Sequence, residues 1–324
     1  MMKGGFTMKL PFGIQKYIYQ LQAAMPNYDT ACPFSKDEPI VLEDKENIRL
    51  CFAAIADTHI VNNEFAFGNL GNAFEDIRNS GETFHALLLA GDIAEFGLKS
   101  EYEGFFNAYD KQDVVDKILV TLGNHDARLF FRRASRYFQN WQGKRLGIDM
   151  KGKNYYSCDI NGYTFIVLCT EKRVMEKAYI SKEQINFLDS ELRRATAEGK
   201  PAFVMCHQAF ANTHGLPEVW KTGDMGEQSD EVRAVMEKYK NVFFINGHLH
   251  GGVCDKVEEV LNKENGVYSI SIPSYRKPNN FGQRDCGIGY YCCVYDNRVE
   301  FTARNFISGK AVTGDYTKFV YQLK

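Results

Sequence analysis

The chain has 324 residues, 44% hydrophobic and 25% charged, enough for one large core or two modest ones. Its 39 Lys and Arg stand against 41 Asp and Glu, a net charge of -2, which argues against a protein that tracks an extended nucleic-acid backbone over many phosphates. No apolar run approaches the roughly 18 residues of a membrane span, so no membrane partner is expected, and the 9 scattered cysteines, without a C-x-x-C pair, read as reduced buried thiols of a cytoplasmic protein.

Residues 1–46 read as an N-terminal extension in which Gln15 and Lys16 interrupt any secretory apolar core. Its aromatic stretch YIYQLQ could cover a sheet edge or another subunit. From residue 47 to 324 the pattern is that of a single domain. Apolar runs of strand length, IRLCFAAIA, FHALLLA, KILVTL, YTFIVLC, PAFVMC and NVFFIN, alternate with amphipathic stretches. That alternation predicts an α/β fold whose sheets are covered on their faces. NYYSCDINGYTFIVLCT reads as a β-hairpin turning at Asn161-Gly162. SKEQINFLDSELRRATAEG reads as a helix with Ser181 and Gln184 as a capping box and Gly199 as its stop. After Gly251 come further strands: VYSISI, GIGYYCCVYD and RVEFTARNF, with a turn at Asn297.

Five of these runs end in groups that bind metals. IRLCFAAIA runs into Asp57 and His59, FHALLLA into Asp92, KILVTL into Asn124, His125 and Asp126, PAFVMC into His207, and NVFFIN into His248 and His250. Carboxyl ends of strands are where α/β sheets place their sites. Asp57 and His59, like His248 and His250, are two residues apart and share a face in extended backbone. Any one histidine is more often structural, but five of the seven in the chain at strand ends are not explained that way. Two carboxylates, four imidazoles and one amide oxygen exceed what one ion needs, and mixed N/O ligands without thiolate suit Mn, Fe or Zn. Two ions, roughly 3.5–4 Å apart in such sites, favour a small anionic phosphoester substrate.

The ordered set D-x-H, GD, GNHD, H and GHLH over roughly residues 50–252 resembles the calcineurin-like metallophosphoesterase superfamily. The resemblance implies a two-sheet β-sandwich flanked by helices, a four-layer α/β/β/α arrangement. It implies one metal held by Asp57, His59 and His250, another by Asn124, His207 and His248, and Asp92 between them. It further implies in-line attack on phosphorus by a metal-bridging hydroxide, with His125 stabilising charge or acting as general acid.

Departures narrow the branch. Phe96 stands where the protein phosphatases of the superfamily carry a phosphate-binding arginine, and Glu95 where purple acid phosphatases carry a tyrosine ligand. GDIAEFGLKSEY looks more like the bacterial cyclic-nucleotide phosphodiesterase branch. By that likeness Glu95 orients His125, with Asp126 the competing candidate and a plain helix-start residue the bland alternative. The long loop after His207 is a candidate lid. In it His214 and Trp220 could contact a base or leaving group, although a core anchor is the commoner role for such a tryptophan. Arg276 and Lys277 could neutralise a second phosphate, although such pairs are more often solvated. His85 and the Cys292-Cys293 pair read as strand core. The expected function is a dinuclear phosphodiesterase on a small organic phosphate such as a cyclic nucleotide. The alternatives are a phosphomonoesterase or pyrophosphatase with the same site, or a non-catalytic protein-binding scaffold.

Overall fold

The computed structural model describes residues 34–276 and 286–324, so YIYQLQ and Lys277 lie outside the described residues. The apolar runs form strands. β1 (Leu50–Ile55), β2 (Phe84–Leu89) and β3 (Val115–Val120) pair in parallel, linked by α1 (Asn63–Ser80) and α2 (Lys99–Lys111). After α3 (Asn124–Ala127) and α4 (Phe131–Leu146), a second sheet is laid down by β4 (Tyr156–Ile160), β5 (Tyr163–Val167), β6 (Ala202–Met205), β7 (Val242–Asn246), β8 (Glu258–Asn262) and β9 (Val267–Ser271). Its helices are α5 (Lys182–Ala195) and α6 (Ser229–Met236), and its order is β4-β5-β6-β7-β9-β8. The chain then returns to the first sheet as β10 (Ile288–Val294), β11 (Arg298–Asn305), β12 (Lys310–Ala311) and β13 (Lys318–Gln322). That sheet runs β12-β11-β10-β1-β2-β3, with β13 also beside β11.

Period-2 alternation divides each strand between two environments. Phe52 of β1 meets Phe165 and Phe203 of the second sheet at ring-centroid distances of 5.2 and 4.9 Å, and Phe243 meets Phe301 at 5.9 Å. These rings join the two sheets. The intervening residues Ile166, Val204 and Phe244 pack instead with Ile185, Leu188 and Leu192 of α5. On the outer face of the first sheet, Phe74 and Ile77 of α1 and Tyr102 and Phe105 of α2 join the main core. The result is the four-layer α/β/β/α arrangement that the sequence implies.

The hairpin forms as expected, with Asn161 and Gly162 both at positive φ, 48° and 80°. The helix after Ser181 departs from expectation at both ends. Ser181 Oγ accepts from Gln184 N at 3.3 Å, but the Gln184 side chain turns away to bond the backbone of Cys169, so the capping box is half formed. Glu171 takes the vacated role by accepting from Ser181 N at 2.6 Å. The helix ends at Ala195 rather than running to Gly199, because Thr196 Oγ1 donates back to the Leu192 carbonyl at 2.8 Å. β8, β12 and β13 were not expected, and their partly or largely exposed residues explain why. Among the described residues no helix is long and apolar enough to cross a membrane.

One buried ion pair clamps the first helix to the returning strands. Arg304 of β11 donates from Nε to Asp76 Oδ2 at 2.8 Å and from a terminal nitrogen to Asp76 Oδ1 at 2.6 Å, with both side chains almost fully buried. Removing one partner leaves a charge buried alone. Asp76→Ala is expected to lower the unfolding free energy by about 3–5 kcal/mol in urea titration. A loss below about 1 kcal/mol would show that the pair behaves as a surface bridge.

Candidate metal centre

The carboxyl ends of β1, β2, β3, β6 and β7 converge where the two sheets meet. Backbone hydrogen bonds tie the loops beyond them together: Asp57 N to Gly91 O, His59 N to Asp92 O, and Gly247 N to His207 O. At Gly123 a Cβ would overlap the Asp92 carboxylate, and at Gly91 (φ 88°) one would overlap the His207 ring. Glycine is required at both positions because the ligand side chains lie directly against the backbone.

Asp57, His59 and His250 bring their ligand atoms within 4.8 Å of one another, and so do Asp92, His207 and His248. His59 Nε2 lies 3.2 Å from His250 Nε2, and Asp57 Oδ1 lies 3.3 Å from the same nitrogen. In the second group His207 Nε2 is 3.3 Å from Asp92 Oδ2 and 3.1 Å from Asn124 Oδ1. Asp92 Oδ2 is also 3.9 Å from His59 Nε2, so this carboxylate stands between the two groups.

The donor set fits metal ions. Asp57 Oδ1, Asp92 Oδ2 and His248 Nε2 are buried yet make no hydrogen bond, in a site where such atoms are costly unless a cation meets them. Behind the site, Asp57 Oδ2 accepts from His248 N at 3.0 Å, Asp92 Oδ1 accepts from His125 N at 2.8 Å, and His207 Nδ1 donates to Ala90 O at 2.7 Å. The two carboxylates are thus fixed through one oxygen while the other is left without a hydrogen bond, and His207 is fixed through Nδ1. Burial raises the Asp92 carboxyl, but the charges of His207 and His125 outweigh it and hold Asp92 well below the usual carboxylate range. Burial holds His248 well below an ordinary imidazole, leaving a neutral ligand. Burial also lowers His207, but Asp92 beside it brings that imidazole up to about 9.

The other sequence candidates separate clearly. Glu95 touches the site: Oε2 lies 3.1 Å from His59 Nδ1 and Oε1 lies 3.7 Å from His125 Nδ1, while its carbonyl accepts from His125 Nδ1 at 2.7 Å. Asp126 uses its oxygens elsewhere, accepting from the backbone N–H groups of Gly123, Ile93 and Ala94 and from Tyr102. It braces the turn beneath the site. Burial pushes its carboxyl up to about 7. Arg276 is not solvated: it donates to the His59 carbonyl at 2.6 Å and lies 3.2 Å from Glu95 Oε2. The Trp220 ring lies against the His248 ring, their centroids 4.5 Å apart and their planes tilted by 35°, and lines the cleft. His214 contacts no part of the site; it is buried between the Lys256 carbonyl and Ser269 Oγ. His85 bridges the Cys51 backbone and Asn161.

Glu176 escaped the sequence reading. Its Oε2 accepts from Asn124 Nδ2 at 2.6 Å, while Arg128 holds its Oε1 at 2.8 Å. A carboxylate can only accept, so this bond turns the amide nitrogen of Asn124 towards Glu176 and its oxygen towards His207. Glu176 lies in the loop beyond β5, with no glycine or paired ligand spacing to mark it.

The ligands open on a cleft of about 760 Å³ whose walls include His125, Glu176, Glu218, Trp220 and Lys256. The family model for calcineurin-like phosphoesterases matches residues 51–252, and the chain belongs to that family. No curated protein matches the chain. Among solved structures, a dimetal phosphatase from Danio rerio is 14% identical over 86% of this chain and 100% of its own, with a TM-score of 0.61. GAP50, the anchor in the inner membrane complex of Plasmodium, is 12% identical over 85% of this chain and 89% of its own, with a TM-score of 0.56. At these identities the likeness is one of fold.

Two outcomes are expected. Asp92→Ala should retain fewer metal ions per chain than wild type by elemental analysis, and Glu176→Ala should weaken metal affinity about 10–100-fold in chelator competition. An unchanged affinity in Glu176→Ala would remove it from the support of Asn124. For His214, burial lowers the imidazole from its ordinary 6.5 to about 4. The unfolded chain therefore takes up a proton that the folded chain refuses, and stability is lost as pH falls from 6.5 towards 4. His214→Gln should flatten the pH dependence of unfolding free energy in that window; an unchanged slope would contradict it.

Proposed function

We propose that the chain is a phosphodiesterase acting on a small organic phosphate ester such as a cyclic nucleotide. Two ions drawn from Mn, Fe and Zn would be held by Asp57, His59 and His250 on one side and by Asn124, His207 and His248 on the other, with Asp92 shared. The observation that carries the reading is the setting of His125. It lines the open cleft beside both ligand groups, and its Nδ1 is tied to the Glu95 carbonyl at 2.7 Å. A carbonyl oxygen only accepts, so Nδ1 carries a hydrogen and Nε2 is the nitrogen that exchanges a proton with a leaving oxygen.

Bound metal ions would neutralise phosphoryl oxygens and lower the pKa of the attacking water. The chain's own residues do the rest. His125 delivers the proton to the departing alkoxide. Glu95, braced by Arg276, fixes the rings of His59 and His125 relative to each other, their centroids 4.6 Å apart and nearly perpendicular. Trp220 offers a flat apolar wall to a base or other organic group. The cysteines among the described residues are free thiols, which supports a reducing, cytoplasmic setting. A scaffold role, which the fold likeness to an anchor protein brings to mind, would not require a complete ligand set.

Protein loaded with Mn²⁺ should hydrolyse bis(p-nitrophenyl) phosphate, and His125→Ala should keep its metal while losing about 10²–10⁴ in kcat. Full rate in His125→Ala on an ester with a poor leaving group would remove the general-acid assignment. No turnover by metal-loaded wild type would move the reading to a phosphomonoesterase or pyrophosphatase.

A further inference from the structure

A second cavity of about 530 Å³ lies beside the cleft and plays no part in the reaction described. Its walls include Phe130, Phe131 and four arginines: Arg132, Arg133, Arg136 and Arg173. Arg132, Arg133 and Arg136 occupy the start of α4, a helix of sixteen residues without one acidic side chain. Arg136 is three residues from Arg133 and four from Arg132, so its guanidinium is a neighbour of both on the helix surface. Their mutual repulsion is increased by the positive end of the helix.

Nothing described relieves that repulsion. Arg145 of the same helix pairs with Asp110, and nearby Arg128 with Glu176. Arg132, Arg133 and Arg136 are exposed, and none has an ion pair to a carboxylate of the described residues. The Arg133 guanidinium lies over the Phe130 ring, 5.3 Å from its centroid. An even overall charge balance therefore hides a local concentration of permanent positive charge.

Two segments of the chain contribute residues to both cavities. Residues 124–136 give Asn124 and His125 to the cleft and three arginines to the second cavity. The loop beyond β5 gives Glu176 to the cleft and Arg173 to the cavity. Three residues separate Arg173 from Glu176, so their Cα atoms are at most about 11 Å apart. We propose that the basic cavity receives a second phosphoryl group carried by the substrate, remote from the ester that is cleaved. Guanidinium stays charged at any working pH and matches phosphate oxygens two at a time, and several of them around one cavity call for a dianion. The proposal rests on the phosphoesterase reading above and narrows its substrate to bisphosphorylated compounds.

The test compares equilibrium binding of 1,6-hexanediol bisphosphate and hexyl phosphate, by calorimetry, to Mn²⁺-loaded protein. Both offer the metal site one phosphate and the same apolar chain, and they differ in the second phosphate. Wild type is expected to bind the bisphosphate about tenfold tighter, the combined effect of a few exposed charge contacts. That preference should shrink as ionic strength rises. The exposed substitutions Arg132→Gln and Arg136→Gln together should bring the ratio of the two affinities to near one, with the unfolding midpoint confirming an intact fold. Equal affinities in wild type, or a preference that survives in the double variant, would overturn the proposal. Turnover of bis(p-nitrophenyl) phosphate is read separately, so its absence counts against the phosphodiesterase reading while the affinity ratio still decides the cavity.

Discussion

The rest of the structure depends on holding two carboxylates and four imidazoles together at the floor of one cleft. Five of the seven candidate ligands sit on backbone with positive φ: Asp57 at 56°, His59 at 45°, Asp92 at 48°, His248 at 72° and His250 at 48°. Such a conformation costs an L-residue roughly 1–2 kcal/mol, and it persists only where the surroundings over-determine it. Here they do. Buried parallel strands fix where each loop begins, and the backbone bonds between the loops after β1 and β2 fix where each goes next. Aspartate and histidine are also among the residues that tolerate this region best. The chemistry that binds metal and the chemistry that accepts the turn thus select the same residue types.

The same constraint explains the electrostatics. At so buried a carboxylate, burial alone would favour the neutral form; instead the neighbouring imidazoles hold Asp92 ionised. Lone pairs that no protein hydrogen bond meets, on Asp57, Asp92 and His248, are tolerable only as one set around shared cations. Carboxylates outside the candidate ligand set are treated differently. Asp126 takes three backbone amides, and burial carries Glu101 up to about 8 while it accepts from Phe96 N and Leu98 N.

Legibility in the sequence followed burial and local spacing. Continuous apolar runs announced the central strands, because a strand covered on both faces has no polar alternation to obscure it. The candidate ligands were legible because they follow the ends of such runs. β8, with sequence EEVLN, and β13, with KFVYQ, left no such signal, since a half-exposed strand mixes charge into its pattern. Asp126 shows the limit of proximity: next to His125 in sequence, it points into the turn because three N–H groups there need an acceptor. Glu95, thirty residues from His125, reaches both it and His59.

Residues that act through a ligand are the hardest to see, and they carry a large part of the specificity. An asparagine offers an oxygen or a nitrogen to a site with nearly equal shape, and only the first can meet a cation. Glu176 decides between them by accepting from Asn124 Nδ2, and Arg128 keeps Glu176 in position. All three lie on the two segments that also frame the arginine-lined cavity, 124–136 and 173–176. Glu176 and Arg173 on one segment, and Asn124 and the three arginines on the other, thus tie the orientation of one amide at the candidate metal centre to the placement of positive charge at its margin.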